Sequence, residues 1–156
     1  MPQHSCCFTG HREIAPATFI YVKHKLLCVV DELIRSGITN FYAGGALGFD
    51  TVAAQTVLEL KKKYTDVKLH LILPCREQAN SWSYINRQTY NDLLTQAESV
   101  NYVSEHYTRF CMQLRNRELV DRSSVCVCFM EKNTGGTAYT VNYAMKKGLK
   151  IINIAE

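Results

Sequence analysis

Two glycine-rich segments carry the residues best suited to binding an anion. The first glycine segment reads Gly44-Gly45-Ala46-Leu47-Gly48-Phe49-Asp50, and the second reads Thr134-Gly135-Gly136-Thr137. Each follows an apolar, strand-like run and precedes a segment with helical periodicity. Paired glycines let backbone amides approach an anion, and the following helix directs the positive end of its dipole to the same point. The two segments together predict phosphate binding, and a nucleotide ligand with it.

Neither glycine segment matches the two common nucleotide motifs. The glycine spacing of residues 44–48 differs from the dinucleotide fingerprint, and no Gly-Lys-Ser/Thr ending marks a P-loop. Asp50 stands near the predicted start of a helix, where it is either an N-terminal cap or first-turn carboxylate, or a group that binds a ribose hydroxyl. Thr137 and Thr140 likewise suit either phosphate binding or helix capping.

Further polar residues follow other predicted strands or lie on a predicted helix. Gly10-His11-Arg12 supplies a titratable imidazole and a guanidinium suited to bidentate phosphate contact, or forms a solvated turn. Arg115-Asn116-Arg117 lies on a helix, where neighbours point about 100° apart, so one arginine faces solvent. Glu77 is a further carboxylate at a strand end. Aromatic residues that either stack on a base or cover the sheet edge are Trp82, Tyr84 and Tyr90.

Strand-like and helical segments alternate along the chain. Predicted strands cover residues 5–9, 38–43, 67–73, 100–103, 125–130 and 150–154. Predicted helices cover residues 17–36, 51–64, 84–97, 108–121 and 136–147. This alternation predicts an α/β fold: a Rossmann-like three-layer sandwich with a mostly parallel central sheet and helices on both faces. Ligands bind such sheets at the carboxyl ends of the strands, so residues 9–12, 44–50, 75–77 and 135–137 are expected on one rim.

Composition narrows the class of protein. The chain has 156 residues, 47% of them hydrophobic, which fits one domain over residues 1–156. The net charge of +4 comes from scattered basic residues, which argues against a nucleic-acid-binding stripe. The seven cysteines include no Cys-x-x-Cys pair, and several lie in strand-like runs, so we expect reduced core thiols, a cytoplasmic location and no metal site. No apolar run approaches the roughly 20 residues of a membrane span.

Four motifs occur in a specific order along nearly the whole chain. They are Thr9-Gly10-His11-Arg12, residues 44–50, Leu114-Arg115-Asn116-Arg117 with Val120-Asp121, and Gly135-Gly136-Thr137-Ala138-Tyr139-Thr140. This order resembles the YpsA-type branch of the SLOG superfamily, which also holds the DprA recombination mediators and the LOG phosphoribohydrolases. The resemblance implies a Rossmann-like domain that binds nucleotides or nucleotide-derived ligands. The ligand-binding residues are then expected to be Gly10, His11, Arg12, Gly44, Gly45, Gly48, Asp50, Arg115, Asn116, Gly135, Gly136, Thr137 and Thr140.

The resemblance to LOG enzymes is incomplete in its catalytic part. Those enzymes release a base from a nucleoside monophosphate with an arginine, which matches Arg115, and a glutamate, whose position falls on Asn142. Cleaving an N-glycosidic bond develops positive charge that a carboxylate stabilises, and proton transfer needs a titratable group. Asn142 provides neither, which leaves Asp50, Glu77 and His11 as replacement candidates.

The sequence therefore predicts a protein that binds a nucleotide or a nucleotide-derived phosphate ligand, such as ADP-ribose, as a sensor or regulatory module. No resident cofactor is expected, and a homo-oligomer is compatible with the sequence. Two alternatives stay open: a LOG-like nucleotide N-glycosidase and a DprA-like nucleic-acid-binding module. The scattered basic residues weigh against the second of these.

Overall fold

Six strands and five helices alternate in the computed structural model, which describes residues 3–156. The strands are β1 (Ser5–Gly10), β2 (Asn40–Ala43), β3 (Lys68–Leu73), β4 (Ser99–Tyr102), β5 (Val125–Phe129) and β6 (Lys150–Asn153). The helices are α1 (Pro16–Arg35), α2 (Phe49–Lys61), α3 (Tyr84–Gln96), α4 (Cys111–Asp121) and α5 (Gly136–Lys146). Every predicted element is present, with its ends shifted by a few residues. The predicted Rossmann-like fold is confirmed.

The central sheet is parallel throughout, which sharpens the prediction of a mostly parallel sheet. Its strand order is β4-β3-β2-β1-β5-β6, so the first strand of the chain lies in the middle. Cys6 of β1 pairs with Phe41 of β2 on one side and with Val125 of β5 on the other. The strand order reverses at β1, and ligands bind open α/β sheets beside such a reversal.

The helices form two layers that follow from the strand order. Right-handed crossovers place consecutive helices on one face while the strands advance in one direction, and on the other face after the reversal. The first layer packs into one core cluster through Leu26 of α1, Val57 of α2 and Leu93 of α3. The second layer packs into another cluster through Leu119 of α4 and Ala144 of α5. Helices α2 and α5 therefore lie on opposite faces of the sheet.

The two central strands are buried on both faces. All residues of β5 are buried, and so are all of β1 except its last glycine, which explains why β5 is continuously apolar and why β1 has the apolar run Cys6-Cys7-Phe8 at its centre rather than an alternating pattern. Their four cysteines are free, buried thiols, as the sequence predicts. Burial raises the pKa of the Cys128 thiol to about 12. Among residues 3–156, every helix is too short or too polar to cross a membrane.

An aromatic cluster closes the core at the carboxyl end of β1. The ring of Phe49 stacks on Phe129 with centroids 6.2 Å apart and meets Phe8 edge-on at 6.3 Å. A Cβ atom on Gly10 would overlap the Phe49 ring. Gly10 therefore has a packing function at the edge of the predicted site, which the sequence alone did not indicate.

Candidate functional site

A cavity of about 490 Å³ opens at the carboxyl ends of β1 and β5. This size lies within the range of small-ligand sites in proteins. Four segments line it: the β1–α1 loop, the region around the start of α2, the first turns of α4 and the β5–α5 loop. The lining residues are Phe8, Thr9, Gly10, His11, Arg12, Ala46, Asp50, Met112, Arg115, Asn116, Lys132, Thr134, Gly135, Gly136 and Thr137.

Most of the sequence-predicted site residues line this cavity, but several do not. Gly44, Gly45 and Gly48 are not among its lining residues. Thr140 is 1% exposed inside α5, where its hydroxyl donates to the Gly136 carbonyl oxygen at 2.9 Å. Glu77 lies on the same rim but outside the cavity, and its carboxylate accepts a hydrogen bond from a loop amide at 2.9 Å.

The aromatic residues after β3 also lie outside the cavity. Trp82 meets Tyr90 edge-on with ring centroids 5.2 Å apart, and both pack into the core below α3. Tyr84 is exposed at the start of that helix. Of the two functions considered for these rings, covering the sheet is the one that the contacts of Trp82 and Tyr90 match.

The first glycine segment is packed against protein. A Cβ atom on Gly45 would lie 2.6 Å from a core leucine side chain, and one on Gly48 would overlap the backbone carbonyl of Arg12. Gly48 also has a φ of +76°, which side chains rarely adopt. The next amide, that of Phe49, donates to the His11 carbonyl oxygen at 3.1 Å. This segment therefore fixes the β1–α1 loop in place, and its three glycines do not line the cavity.

The second glycine segment is open. A Cβ atom on Gly135 or Gly136 would have no heavy atom within 4 Å. Gly135 is the N-cap of α5, with a φ of +95° and no side-chain cap. The first amides of a helix have no acceptor within the helix, and they carry the positive end of its dipole. The start of α5 is therefore free to bind an anion in the cavity.

Two cationic side chains stand at the same cavity. Arg12 is exposed, and its guanidinium only touches the Met112 sulfur at 3.9 Å, forming no ion pair within residues 3–156. Lys132 reaches the cavity from the β5–α5 loop. Sequence reasoning missed Lys132, although a lysine between a central strand and a glycine pair was a usable signal. Both groups suit a phosphate, Arg12 through its planar fork and Lys132 as a point charge.

Arg115 is buried, and its guanidinium donors contact other groups of the protein. It is 4% exposed, and its Nη1 donates to the Gly44 carbonyl oxygen. Its Nε donates to Asn116 Oδ1 at 2.7 Å, and its Nη2 lies 3.7 Å from the Met112 sulfur. Arg117, two residues later, is the arginine that faces solvent, as helical geometry requires. Arg115 thus stabilises the first glycine segment through the Gly44 carbonyl oxygen, and it adds positive charge to the cavity wall.

Asp50 is the one carboxylate among the described lining residues. It is 6% exposed, and its Oδ2 accepts a hydrogen bond from the Ala46 amide at 3.3 Å. Its Oδ1 accepts none from residues 3–156. Burial raises the pKa of Asp50 to about 6, against the smaller opposing effects of Arg115, the Ala46 amide and Arg12. Gly48 is the N-cap of α2 and Asp50 lies in the first turn, so of the two helix-end functions considered from the sequence the structure shows the first-turn carboxylate.

His11 joins the two loops that border the cavity. The Glu131 amide donates to His11 Nε2 at 2.9 Å, so Nε2 is the acceptor and the ring proton lies on Nδ1. The ring also meets Phe129 edge-on at 5.7 Å. With Nε2 occupied, His11 serves mainly to hold the β1–α1 loop against the β5–α5 loop.

The parallel sheet defines a Rossmann-like protein, and its cavity lies where the strand order reverses, the place where such folds usually bind ligands. The chain belongs to the YspA SLOG family, whose model, YpsA, matches residues 7–153. The resemblance found in the four sequence motifs is therefore confirmed.

Relatives of known sequence share most of the chain. The uncharacterized SPbeta prophage-derived protein YoqJ of Bacillus subtilis (strain 168) is 32% identical over 142 residues, which are 83% of each chain. UPF0398 protein BH1768 of Halalkalibacterium halodurans is 29% identical over 130 residues, covering 81% of this chain and 69% of that protein.

Solved structures share the fold. DNA processing protein A (DprA) from Helicobacter pylori, a structure concerned with single-stranded DNA binding, has a TM-score of 0.71 at 20% identity, covering 94% of this chain and 63% of that one. DprA from Streptococcus pneumoniae has a TM-score of 0.67 at 17% identity, covering 94% and 48%. TM1055 has a TM-score of 0.61 at 18% identity, covering 94% and 71%. The present chain thus spans less than two thirds of either DprA chain.

Proposed function

We propose that the protein binds a nucleotide or a nucleotide-derived phosphate ligand in the cavity between α2 and α5, as a sensing or regulatory module. The open start of α5 is the observation that carries the proposal. Gly135 and Gly136 leave its first amides uncovered, and Arg12 and Lys132 add two cations at the same cavity. Backbone amides, a helix dipole and cations in one concave site form an arrangement suited to a phosphate group.

A binding function fits the cavity better than hydrolysis does. Asp50 is the one described lining carboxylate, whereas glycosidases of the common kind use a pair. Helix α5 has no Asp or Glu in its sequence, and Asn142 on it is exposed outside the cavity. Of the other replacement candidates, Glu77 lies outside the cavity and the His11 Nε2 already accepts a hydrogen bond.

Valine in place of Gly136 is expected to abolish nucleotide binding without unfolding the protein. The free protein has open space at this position, and Gly136 has no positive φ, so the side chain costs little until a phosphate must approach the amides. A thermal-shift screen of nucleoside phosphates, NAD and ADP-ribose first identifies a ligand, since one that binds only the folded state raises its melting temperature. Titration of that ligand should then show an affinity at least about tenfold weaker in Gly136→Val.

The matched control is Asn142→Val, which places the same side chain on an exposed position of the same helix. It should bind the ligand as the parent protein does. A Gly136→Val protein that is folded and keeps the parent affinity would remove the start of α5 from the site.

We expect no release of free base when the protein is incubated with purine or pyrimidine nucleoside monophosphates. The physical reason is the missing second carboxylate at the cavity. Chromatography after prolonged incubation measures the free base directly, with buffer alone and Asp50→Asn as the comparisons. Base release by the parent protein that disappears in Asp50→Asn would replace the binding proposal with an N-glycosidase.

A further inference from the structure

We infer that Asp50 receives the ribose hydroxyls of the ligand and makes the cavity selective for ribonucleotides over 2′-deoxyribonucleotides. The inference rests on the proposed function, because it assigns the sugar of a ligand whose phosphate lies at the start of α5. It is carried by the unfilled hydrogen-bonding capacity of Asp50 and by the charge arrangement across the cavity.

Asp50 lacks the partners that a buried carboxylate normally has. It is 94% buried as a residue, yet it accepts one hydrogen bond of 3.3 Å, at Oδ2. Arg115 compensates its charge from beyond ion-pair distance, with its own donors directed to Gly44 and Asn116. An ionised carboxylate has about four acceptor sites. Among residues 3–156, Gln78 Oε1 is the one side-chain nitrogen or oxygen fully buried without a partner, so Asp50 Oδ1 is accessible from the cavity. Oδ1 at the cavity wall is therefore an acceptor that suits a hydrogen-bond donor on a ligand.

The charges around the cavity fix which part of a nucleotide reaches Asp50. The start of α5 lies on one face of the sheet with Lys132 before it, whereas α2 presents Asp50 from the other face. A phosphate is attracted to the first side, whereas beside Asp50 the carboxylate repels it and offsets part of the attraction of Arg115 and Arg12. A group that donates hydrogen bonds to Asp50 must therefore come from another part of the same ligand.

The position of Asp50 relative to β5 selects the sugar as that part. Phe49, the residue before Asp50, stacks on Phe129 at the end of β5, the strand that leads into α5. Asp50 and the start of α5 therefore line one small cavity, and the group that reaches Asp50 is one that lies near the phosphate in the ligand. In a nucleotide, the ribose hydroxyls are joined to the 5′-phosphate by the short C3′–C4′–C5′ bridge. The hydrogen-bonding edge of the base lies beyond the glycosidic bond, on the far side of the sugar ring. Two hydroxyl donors on neighbouring carbons also match the two oxygens of one carboxylate.

The test compares the four ribonucleoside 5′-monophosphates with their 2′-deoxy counterparts by calorimetric titration. The parent protein should bind the preferred ribonucleotide about tenfold or more tightly than its deoxy form, the effect of one hydrogen bond to a charged group. In Asp50→Asn this ratio should fall towards one, because a neutral amide oxygen is a weaker acceptor. Gly136→Val should lower the affinity for the ribo and deoxy forms by the same factor, so the ratio of the two affinities should stay unchanged.

Each contrary outcome has a distinct meaning. The parent protein could bind the ribo and deoxy forms with equal affinity, with binding of both lost in Gly136→Val. That result overturns the sugar assignment and leaves the proposed function standing. A ratio that persists in Asp50→Asn also overturns it, because another group then reads the hydroxyl. If Asp50→Asn lowers the affinity for nucleotides of one base, and by the same factor in the ribo and deoxy forms, Asp50 contacts that base instead of the sugar. Binding of none of the eight nucleotides at millimolar concentration overturns the sugar inference, and it overturns the proposed function as well if NAD and ADP-ribose also leave the melting temperature unchanged.

Discussion

Replacing Arg115 with methionine is expected to lower the free energy of unfolding by about 3 kcal/mol or more. The substitution leaves the Gly44 carbonyl oxygen without its donor and Asp50 without its nearest compensating charge. Burial lowers the pKa of Arg115 and raises that of Asp50, so desolvation outweighs their attraction at both groups. Unlike the loss of the Asp50 charge, the loss of Arg115 leaves a buried acceptor, the Gly44 carbonyl oxygen, without a donor and increases the desolvation cost of the Asp50 carboxylate. Denaturant unfolding measures the loss.

Arg117→Met is the matched control, since it removes an exposed arginine from the same helix. It should change stability only slightly. The double variant Arg115→Met with Asp50→Asn should recover part of the stability lost in Arg115→Met, because no uncompensated carboxylate remains. Equal losses in Arg115→Met and Arg117→Met would show that Arg115 does not support the first glycine segment.

Asp50→Asn is expected to make the protein more stable above pH 7, by up to roughly 3 kcal/mol. Burial raises the pKa of Asp50 from 3.8 to about 6, so the folded state binds its proton more tightly than the unfolded state does. Stability from this group is therefore lost as the pH rises from about 4 through about 6. Asparagine keeps an acceptor for the Ala46 amide but has no charge to desolvate. The variant should gain stability while losing ligand selectivity, a common trade-off at functional sites.

Unfolding curves of the parent protein and Asp50→Asn between pH 4 and pH 8 measure this effect. The difference between their free energies of unfolding should increase as the pH rises. Asp92→Asn, at an exposed position on α3, provides the comparison and should show no such increase. A constant difference between Asp50→Asn and the parent protein across this range would mean that Asp50 does not bear the desolvation cost described.

The order and type of the elements could be predicted from the sequence because local pattern determines them. The continuous apolar run of β5 requires burial on both faces, and Gly37 and Gly148 follow the ends of α1 and α5 as helix stops. The helix boundaries were less accurate, as with α4, which begins at Cys111 rather than at residue 108. Residues 108–110 form a turn before it, and periodicity does not distinguish a turn from the first turn of a helix.

The site was only partly predictable, because long-range packing decides the functions of its residues. The two glycine segments read alike, yet one is packed against the protein and the other is open. The spacing on α4 indicates that one of its two arginines faces solvent. It does not indicate that Arg115 donates a hydrogen bond to the Gly44 carbonyl oxygen. That contact joins residues distant in the chain, and no local pattern encodes it.

The central position of β1 also shapes how this chain folds. Its partner on one side, β2, follows soon after it, but its partner on the other side, β5, comes near the end of the chain. During synthesis, the edge of β1 around Cys7 stays unpaired while four of the five helices emerge from the ribosome. Unpaired apolar edges are where nascent chains associate wrongly, and late, long-range parallel pairing slows folding. A chain that stops before residue 125 would keep this edge exposed, so aggregation of nascent fragments is the hazard built into this strand order.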